Sequence, residues 1–166
     1  MTETLSHIAM RRLSGPDATD WYTPLSGVTI SQNEDGCLVV YAPSVCQESL
    51  VTNDIVETDA SGRFRVLGRK DNVICSGGVK IQIEEVEQRL KPFLAAPFLV
   101  TKCKDPKFGE AVVLLTEGDI EEAQTACRDR LPRHWMPRRF LQVSCLPMTE
   151  TGKPARRLAQ EIAEEA

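Results

Sequence analysis

The apolar residues of this chain change period part-way along, and that change divides it into a layer of hairpins and a mixed α/β part. From Gly27 the period is two: Val28 and Ile30, a turn at Glu34-Asp35-Gly36, then Cys37-Leu38-Val39-Val40-Tyr41, which together predict a β-hairpin. A second hairpin is predicted from Asp54-Ile55-Val56-Glu57 and Arg63-Phe64-Arg65-Val66-Leu67, closed by Asp59-Ala60-Ser61-Gly62. Two small hairpins make a sheet that needs a neighbour to cover it. Residues 1–26, polar and punctuated by Gly15-Pro16 and Pro24, read as loop with at most one short turn of helix.

After Lys70-Asp71-Asn72 the rhythm differs. A short strand at Val73-Ile74-Cys75 and a turn at Gly77-Gly78 precede a helix in which Ile83, Val86 and Leu90 recur at i, i+3 and i+7. Strands follow at Leu99–Cys103 and Ala111–Leu115. The next helix carries Ile120, Ala123, Cys127 and Leu131, with Asp119 at its N-cap and Glu122 three residues on. Beyond the breaks at Pro132 and Pro137 come a strand at Phe140–Val143 and a last helix expected to open with Pro154 at its first position. The expected fold class is α+β: a small hairpin layer over 1–70, then a compact domain over 71–166 with helices on a three-stranded sheet.

At 166 residues the chain can bury one ordinary core and a small second unit. A hydrophobic share of 42% and a charged share of 27% are those of a soluble protein, and no apolar stretch nears the ~20 residues of a membrane span. The net charge of -4, with both signs interspersed, offers no broad electropositive face for nucleic acid. Six cysteines (Cys37, Cys46, Cys75, Cys103, Cys127, Cys145) form no CxxC pair and read as buried, reduced thiols. The start, Met1 to Leu13, lacks the apolar core of a signal peptide, so the expected location is the cytoplasm.

The stretch Leu67-Gly68-Arg69-Lys70-Asp71-Asn72, the apolar run Val73-Ile74-Cys75, the pair Gly77-Gly78 and the helix opening Ile83-Glu84-Glu85-Val86-Glu87 resemble the hinge and glycine loop of adenylate-forming enzymes: acyl-CoA synthetases, luciferases and peptide-synthetase adenylation domains. Thr2-Glu3-Thr4 resembles the end of that family's Tyr-Gly-x-Thr-Glu motif, and Thr52-Asn53-Asp54 its Thr-Gly-Asp motif, with Asn53 in place of glycine. Leu146-Pro147-Met148-Thr149-Glu150-Thr151-Gly152-Lys153 resembles its Leu-Pro-x-Thr-x-x-Gly-Lys motif. The four stand in the family's order and span essentially the whole chain.

The resemblance implies roles. Thr2 would approach phosphate oxygens and Glu3 would hold Mg2+. Asp54 would bond both ribose hydroxyls, and Arg69 would reach the same ribose or the phosphates. Asp71 would be the pivot of a mobile lid, Gly77 and Gly78 would let the pantetheine of CoA pass close to the backbone, and Lys153 would be the catalytic lysine. The chemistry of these residue types agrees. Attack of a carboxylate on the α-phosphorus of ATP builds negative charge that needs a positioned cation, and a lysine on a flexible stem is a mobile point charge. A carboxylate accepts two hydrogen bonds from a diol.

Each residue also has a plainer reading. Lys153 would be a solvated lysine near a helix start, Asp54 a turn-capping aspartate, and Gly77-Gly78 an ordinary tight turn. His7, though close to the magnesium motif, and His134 read as structural or solvent-facing, and Glu84, Glu85 and Glu87 as a solvated first helical turn.

Within the family, Met1 to Ala9 looks most like the o-succinylbenzoate:CoA ligases of menaquinone synthesis; fatty or aryl acyl-CoA synthetases stand as alternatives. The expected substrates are ATP, CoA and a carboxylic acid. The family's phosphate loop and the Tyr-Gly expected before Met1 are not in these residues. The chain is therefore expected to need a larger N-terminal domain, to be inactive alone, and to self-associate through residues 1–70. A stand-alone module that binds a nucleotide or a partner protein is the rival from another class. An adenylation domain of a peptide synthetase would need a carrier domain downstream.

Overall fold

The computed structural model describes residues 7–166. The chain forms two compact units, Met1–Asp71 and Asn72–Ala166. The first is built on a four-stranded antiparallel sheet. A two-stranded pair, β1 (Ala9–Met10) and β2 (Thr23–Pro24), is followed by β3 (Thr29–Gln32), β4 (Cys37–Tyr41), β5 (Leu50–Thr58) and β6 (Phe64–Arg69), the last four lying side by side in chain order. The turn into β4 is fixed by Asn33, whose side-chain oxygen accepts from the backbone N–H of Asp35 at 3.0 Å and of Cys37 at 2.8 Å. Leu38, Val40, Val56 and Phe64 pack with Ile8 and Ala42, and the Tyr22 ring stacks on Phe64 at 5.4 Å. Tyr41, Val51, Val66 and Leu67 remain exposed.

The second unit has a five-stranded sheet. It opens with a hairpin of β7 (Val73–Ser76) and β8 (Val79–Gln82), leads directly into helix α1 (Ile83–Leu90), and continues through β9 (Phe98–Asp105), β10 (Gly109–Thr116), α2 (Ile120–Arg130), β11 (Arg139–Gln142) and α3 (Arg156–Glu165). β9 runs antiparallel along the whole of β10. β11 therefore takes the other edge, parallel, from Val113 to Thr116, and β7 joins β10 at Gly109. Lys102 and Glu110 stitch the hairpin on: Lys102 Nζ reaches the Val73 carbonyl at 3.1 Å and Glu110 Oε1 at 2.8 Å, while Glu110 Oε2 accepts from Cys75 N–H at 2.7 Å.

Both faces of this sheet are covered, which explains why Ala111-Val112-Val113-Leu114-Leu115 is apolar without alternation. Val100, Val112 and Leu114 face Ile83, Val86 and Leu90 of α1 and Ala123 and Cys127 of α2. Leu99, Cys103, Ala111, Val113 and Leu115 face Ala159 and Ala163 of α3. Burial drives the Cys127 thiol up to about 12. No helix of the described residues is long and apolar enough to cross a membrane.

The architecture is the expected α+β one, with five differences of detail. The strands expected at Val73–Cys75, Leu99–Cys103, Ala111–Leu115 and Phe140–Val143 are present as β7, β9, β10 and β11, and with β8 they make a sheet of five strands where three were expected. The last helix starts at Arg156, not Pro154, because Pro154 is held in a bridge to Met148. Cys75 and Cys145 are exposed, whereas Cys37, Cys103 and Cys127 are buried; all six thiols are free. Of the three helix-opening acids only Glu85 is exposed: Glu84 accepts from Asn72 and Gln82, and Glu87 pairs with Arg156. Within residues 7–26 the described chain forms short strands and turns, with no helix.

Candidate functional site

Within the first unit, β5 and β6 bring three of the candidate residues together. Asp54 and Arg69 are register partners across the two strands, and Arg69 Nη1 lies 3.4 Å from Asp54 Oδ1. The other arm of the same guanidinium reaches Asp71 Oδ2 at 3.1 Å, and Asn53 Nδ2 donates to that oxygen at 3.2 Å. Thr52 orients the strand beneath: its hydroxyl donates to the Leu38 carbonyl at 3.0 Å and accepts Asp54 N–H at 3.1 Å. The Asp54 side chain stays 31% exposed, open to a further donor such as a sugar diol. Next to this cluster Lys70 pairs with Asp35 at 2.7 Å, which raises the lysine's pKa. Thr2 and Glu3, the candidates for phosphate and magnesium, lie outside the described residues.

In the second unit, Gly77 and Gly78 form the β7–β8 turn, both with positive φ, +56° and +84°. Gly77 N–H donates to the Phe108 carbonyl at 2.9 Å, and a Cβ on Gly77 would sit 2.9 Å from Phe108 Cδ1, so only glycine fits against that ring. The ring is held in turn. Asp105 accepts from the N–H of Phe108 at 2.8 Å and of Lys107 at 2.9 Å, and these bonds pull its pKa down. The Arg138 guanidinium lies 3.8 Å from the ring centroid on which it stacks. A cavity of about 440 Å³ opens here, lined by Gly77, Val79, Phe108, Arg133, His134 and Arg138, a set with two permanent cations and no carboxylate.

Lys153 stands on a separate loop of the same unit. Thr149 N–H donates to the Lys153 carbonyl at 2.7 Å and Lys153 N–H to the Thr149 hydroxyl at 3.1 Å. Gly152, at φ +73°, closes the turn, and Ala155 N–H reaches the Pro147 carbonyl at 2.9 Å. The loop is thus a self-bonded hook, and its lysine is exposed, with no ion pair to any described residue.

The chain as a whole is similar in sequence and in fold to known proteins. A 2-succinylbenzoate–CoA ligase of Bacillus velezensis is 34% identical over 119 residues, 67% of this chain and 24% of that protein. A nonribosomal peptide synthetase of Aspergillus is 29% identical over 68% of this chain and 6% of its own length. Among solved structures, an AMP-forming acyl-CoA synthetase-like protein of Dyadobacter fermentans is 32% identical with a TM-score of 0.52, covering 95% of this chain and 48% of that one. The chain belongs to the adenylate-forming family.

The fold is that of the C-terminal part of adenylate-forming enzymes: ATP-bound MatB of Rhodopseudomonas palustris superposes with a TM-score of 0.76 at 18% identity, over 92% of this chain and 37% of its own. The chain spans about a quarter of the length of the curated CoA ligases it matches. No family model matches it. Three neighbours of the glycine turn escaped the sequence reading. Phe108, Arg133 and Arg138 are far from the glycine pair in sequence; the cation-rich stretch from Arg128 to Arg139 is the signal that could have found the two arginines, and Phe108 left none. His134, read as structural or solvent-facing, is exposed at that cavity's rim, and His7 is exposed as well. No group of three or more His, Cys, Asp or Glu among the described residues could hold a metal ion.

Proposed function

We propose that this chain is the C-terminal portion of an ATP-dependent acid:CoA ligase, which joins a carboxylic acid to AMP and then passes the acyl group to the thiol of CoA. The observation that carries the reading is the hook that presents Lys153: a cation exposed to solvent, unpaired with any described carboxylate, on a loop closed by its own hydrogen bonds. Such a lysine can meet charge that develops on the α-phosphoryl oxygens, and it pays no penalty for leaving a partner. Asp54 and Arg69 would hold the ribose of ATP, taken as its magnesium complex with Thr2 and Glu3 as the contributing residues. Asp71, the last residue of the first unit, would be the pivot on which the Asn72–Ala166 lid turns between half-reactions.

CoA is favoured over a protein-bound thiol carrier by the cations beside the glycine turn. Arg133 and Arg138 suit the phosphates of a free anionic thiol, and Gly77-Gly78 would leave room for its pantetheine arm. For the acid, o-succinylbenzoate is the first to test, given the start Met1 to Ala9 and the named activity of the 34%-identical Bacillus relative. A steroid acid belongs in the same panel, because a relative named 3-oxocholest-4-en-26-oate–CoA ligase is also 34% identical. The reading assigns no activity to this chain alone and a cytoplasmic location.

The test is ATP/pyrophosphate exchange with that panel, on the 166-residue chain and on a protein that joins it to the larger AMP-binding part. Exchange only in the second, lost in Lys153→Ala while thioester formation from supplied adenylate persists, is the expected result. Exchange by the chain alone, or equal loss of both half-reactions, would overturn the assignment.

A further inference from the structure

The root of the lysine hook is held by a group that no motif reading assigned. Arg156 lies three residues beyond Lys153, and its guanidinium grips Glu87 of α1 with both arms, Nη1 to Oε1 at 2.6 Å and Nη2 to Oε2 at 2.7 Å. Nη1 also donates to the Val100 carbonyl at 2.8 Å, and Glu87 Oε1 accepts the Val100 N–H at 2.8 Å. Val100 sits on β9, whose only strand neighbour among the described residues is β10, so its outward N–H and C=O would otherwise have no described strand to meet. The pair supplies that missing partner. Both side chains are largely buried, 25% and 21% exposed. The other root of the hook is tied as well, through Leu146 N–H to Glu117 Oε1 at 2.8 Å.

We propose that the Arg156–Glu87 clasp is the positioning device of the lysine hook: it fixes residues 148–155 to the sheet so that Lys153 is presented in one geometry. This rests on the reading of Lys153 as the adenylation lysine. The fork matters because a bidentate guanidinium–carboxylate pair restricts rotation where a lone ammonium leaves it free. Burial alone would make the guanidinium easier to deprotonate, but the bonds and charge of Glu87 outweigh it and raise its pKa, so the clasp stays charged throughout the range in which the carboxylate is ionised.

Amide hydrogen exchange on the whole 166-residue chain tests this directly. The N–H groups of Gly152, Lys153 and Ala155 report the hook, and those of Ala123 and Cys127 in α2 report global opening. In Arg156→Lys and Glu87→Gln the hook amides should exchange about tenfold to a hundredfold faster while the α2 amides do not change. Equal acceleration at both places, or none, would overturn the proposal by reducing the pair to general stability or to nothing. Should the single variants unfold, Glu87→Leu with Arg156→Met restores apolar packing without the fork. Fast hook exchange in that double variant supports the clasp, and wild-type exchange sinks it.

In the joined protein used above, Arg156→Lys should lower kcat for adenylation with little change in KM for ATP; unchanged kcat despite a loosened hook would overturn the positioning role. Lys153→Ala is the control that separates the two readings. If it leaves adenylation intact, the assignment of Lys153 has failed, whereas the exchange result judges the clasp on its own.

Discussion

The glycine turn at 77–78 and the lysine hook at 148–154 belong to one compact unit and are held by opposite means. At Gly77 the constraint comes from outside: the Phe108 ring occupies the space a side chain would need, and Arg138 and Asp105 hold that ring in place. At Gly152 nothing lies within 4 Å of a would-be Cβ, and the hook is held by bonds among its own residues and by its two roots. A turn defined by packing tolerates no added atom, and its hydrogen-bonding side chain, Asp105, acts on the ring that packs it and not on the turn itself. A turn defined by internal bonds tolerates bulk and fails when a donor or acceptor is removed. The first suits a wall past which a ligand slides, the second an arm that must reach out.

The largest expected effect lies in chemistry. Lys153→Ala should lower adenylation in the joined protein by about a hundredfold to a thousandfold, the usual cost of removing one charge-stabilising donor. The same change should leave unfolding of the chain in urea within about 0.5 kcal/mol, because the lysine side chain is exposed and pairs with no described carboxylate. A clear loss of stability would break the comparison, since the hook would then depend on its lysine.

Next comes Gly77→Ala. The alanine must adopt φ near +56° and meets Phe108 Cδ1 at 2.9 Å, so destabilisation of about 2 kcal/mol or more is expected. Gly152→Ala and Gly78→Ala carry only the positive-φ penalty, about 1 kcal/mol each, because both positions face open space. Chemical unfolding of the three variants ranks them, and Phe108→Ala in the Gly77→Ala background should recover part of the excess. Equal losses at all three positions would mean that the ring is no wall.

Acid should distinguish the two turns as well. The Asp105 carboxyl is held below its ordinary 3.8, first by the N–H of Phe108, so its folded pKa lies under its unfolded one. Its contribution is complete above the unfolded value and is lost as pH falls through the folded one. The stability gap between the wild type and Asp105→Asn should therefore be present at neutral pH and close below 3.8. Residues 148–154 of the hook make no comparable carboxylate bond among themselves, and Asp105→Asn should leave the exchange of the Gly152 and Lys153 amides unchanged at neutral pH.

How much of this could be read from the chain differs from part to part. Helix α1 was legible because Ile83, Val86 and Leu90 repeat on one face, and α2 because Asp119 stands ready to accept from Glu122 N–H, at 2.9 Å in the structure. Strand β8 was hidden: Val79 and Ile81 alternate for only four residues between a glycine turn and a helix, too briefly for a period to emerge. Cys75 is exposed because alternation on β7 turns its neighbour Ile74 inward, and a lone cysteine does not announce which side it takes. The Asp54–Arg69 pairing depends on a bulge between Ile55 and Val56, which sets a register that hydrophobic pattern alone does not fix. Glu87 read as a solvated acid because its partner lies 69 residues away; long-range polar pairs leave no local trace.

The smallest effect tests the internal bonding of the hook. Thr149 uses its backbone N–H on the Lys153 carbonyl, while its hydroxyl accepts Lys153 N–H and lies 3.0 Å from the Thr151 hydroxyl. Thr149→Val keeps the shape and deletes the hydroxyl, and Thr149→Ser keeps the hydroxyl and deletes the methyl. Because the loop is exposed, water can replace the lost acceptor, and the valine variant should lose about half a kcal/mol or less in stability. Its Lys153 amide should nonetheless exchange up to about twofold faster, the factor that such an energy represents, while the serine variant matches the wild type. If serine and valine behaved alike, the methyl and not the hydroxyl would be holding the hook. The contrast with the packing-defined glycine turn would then disappear.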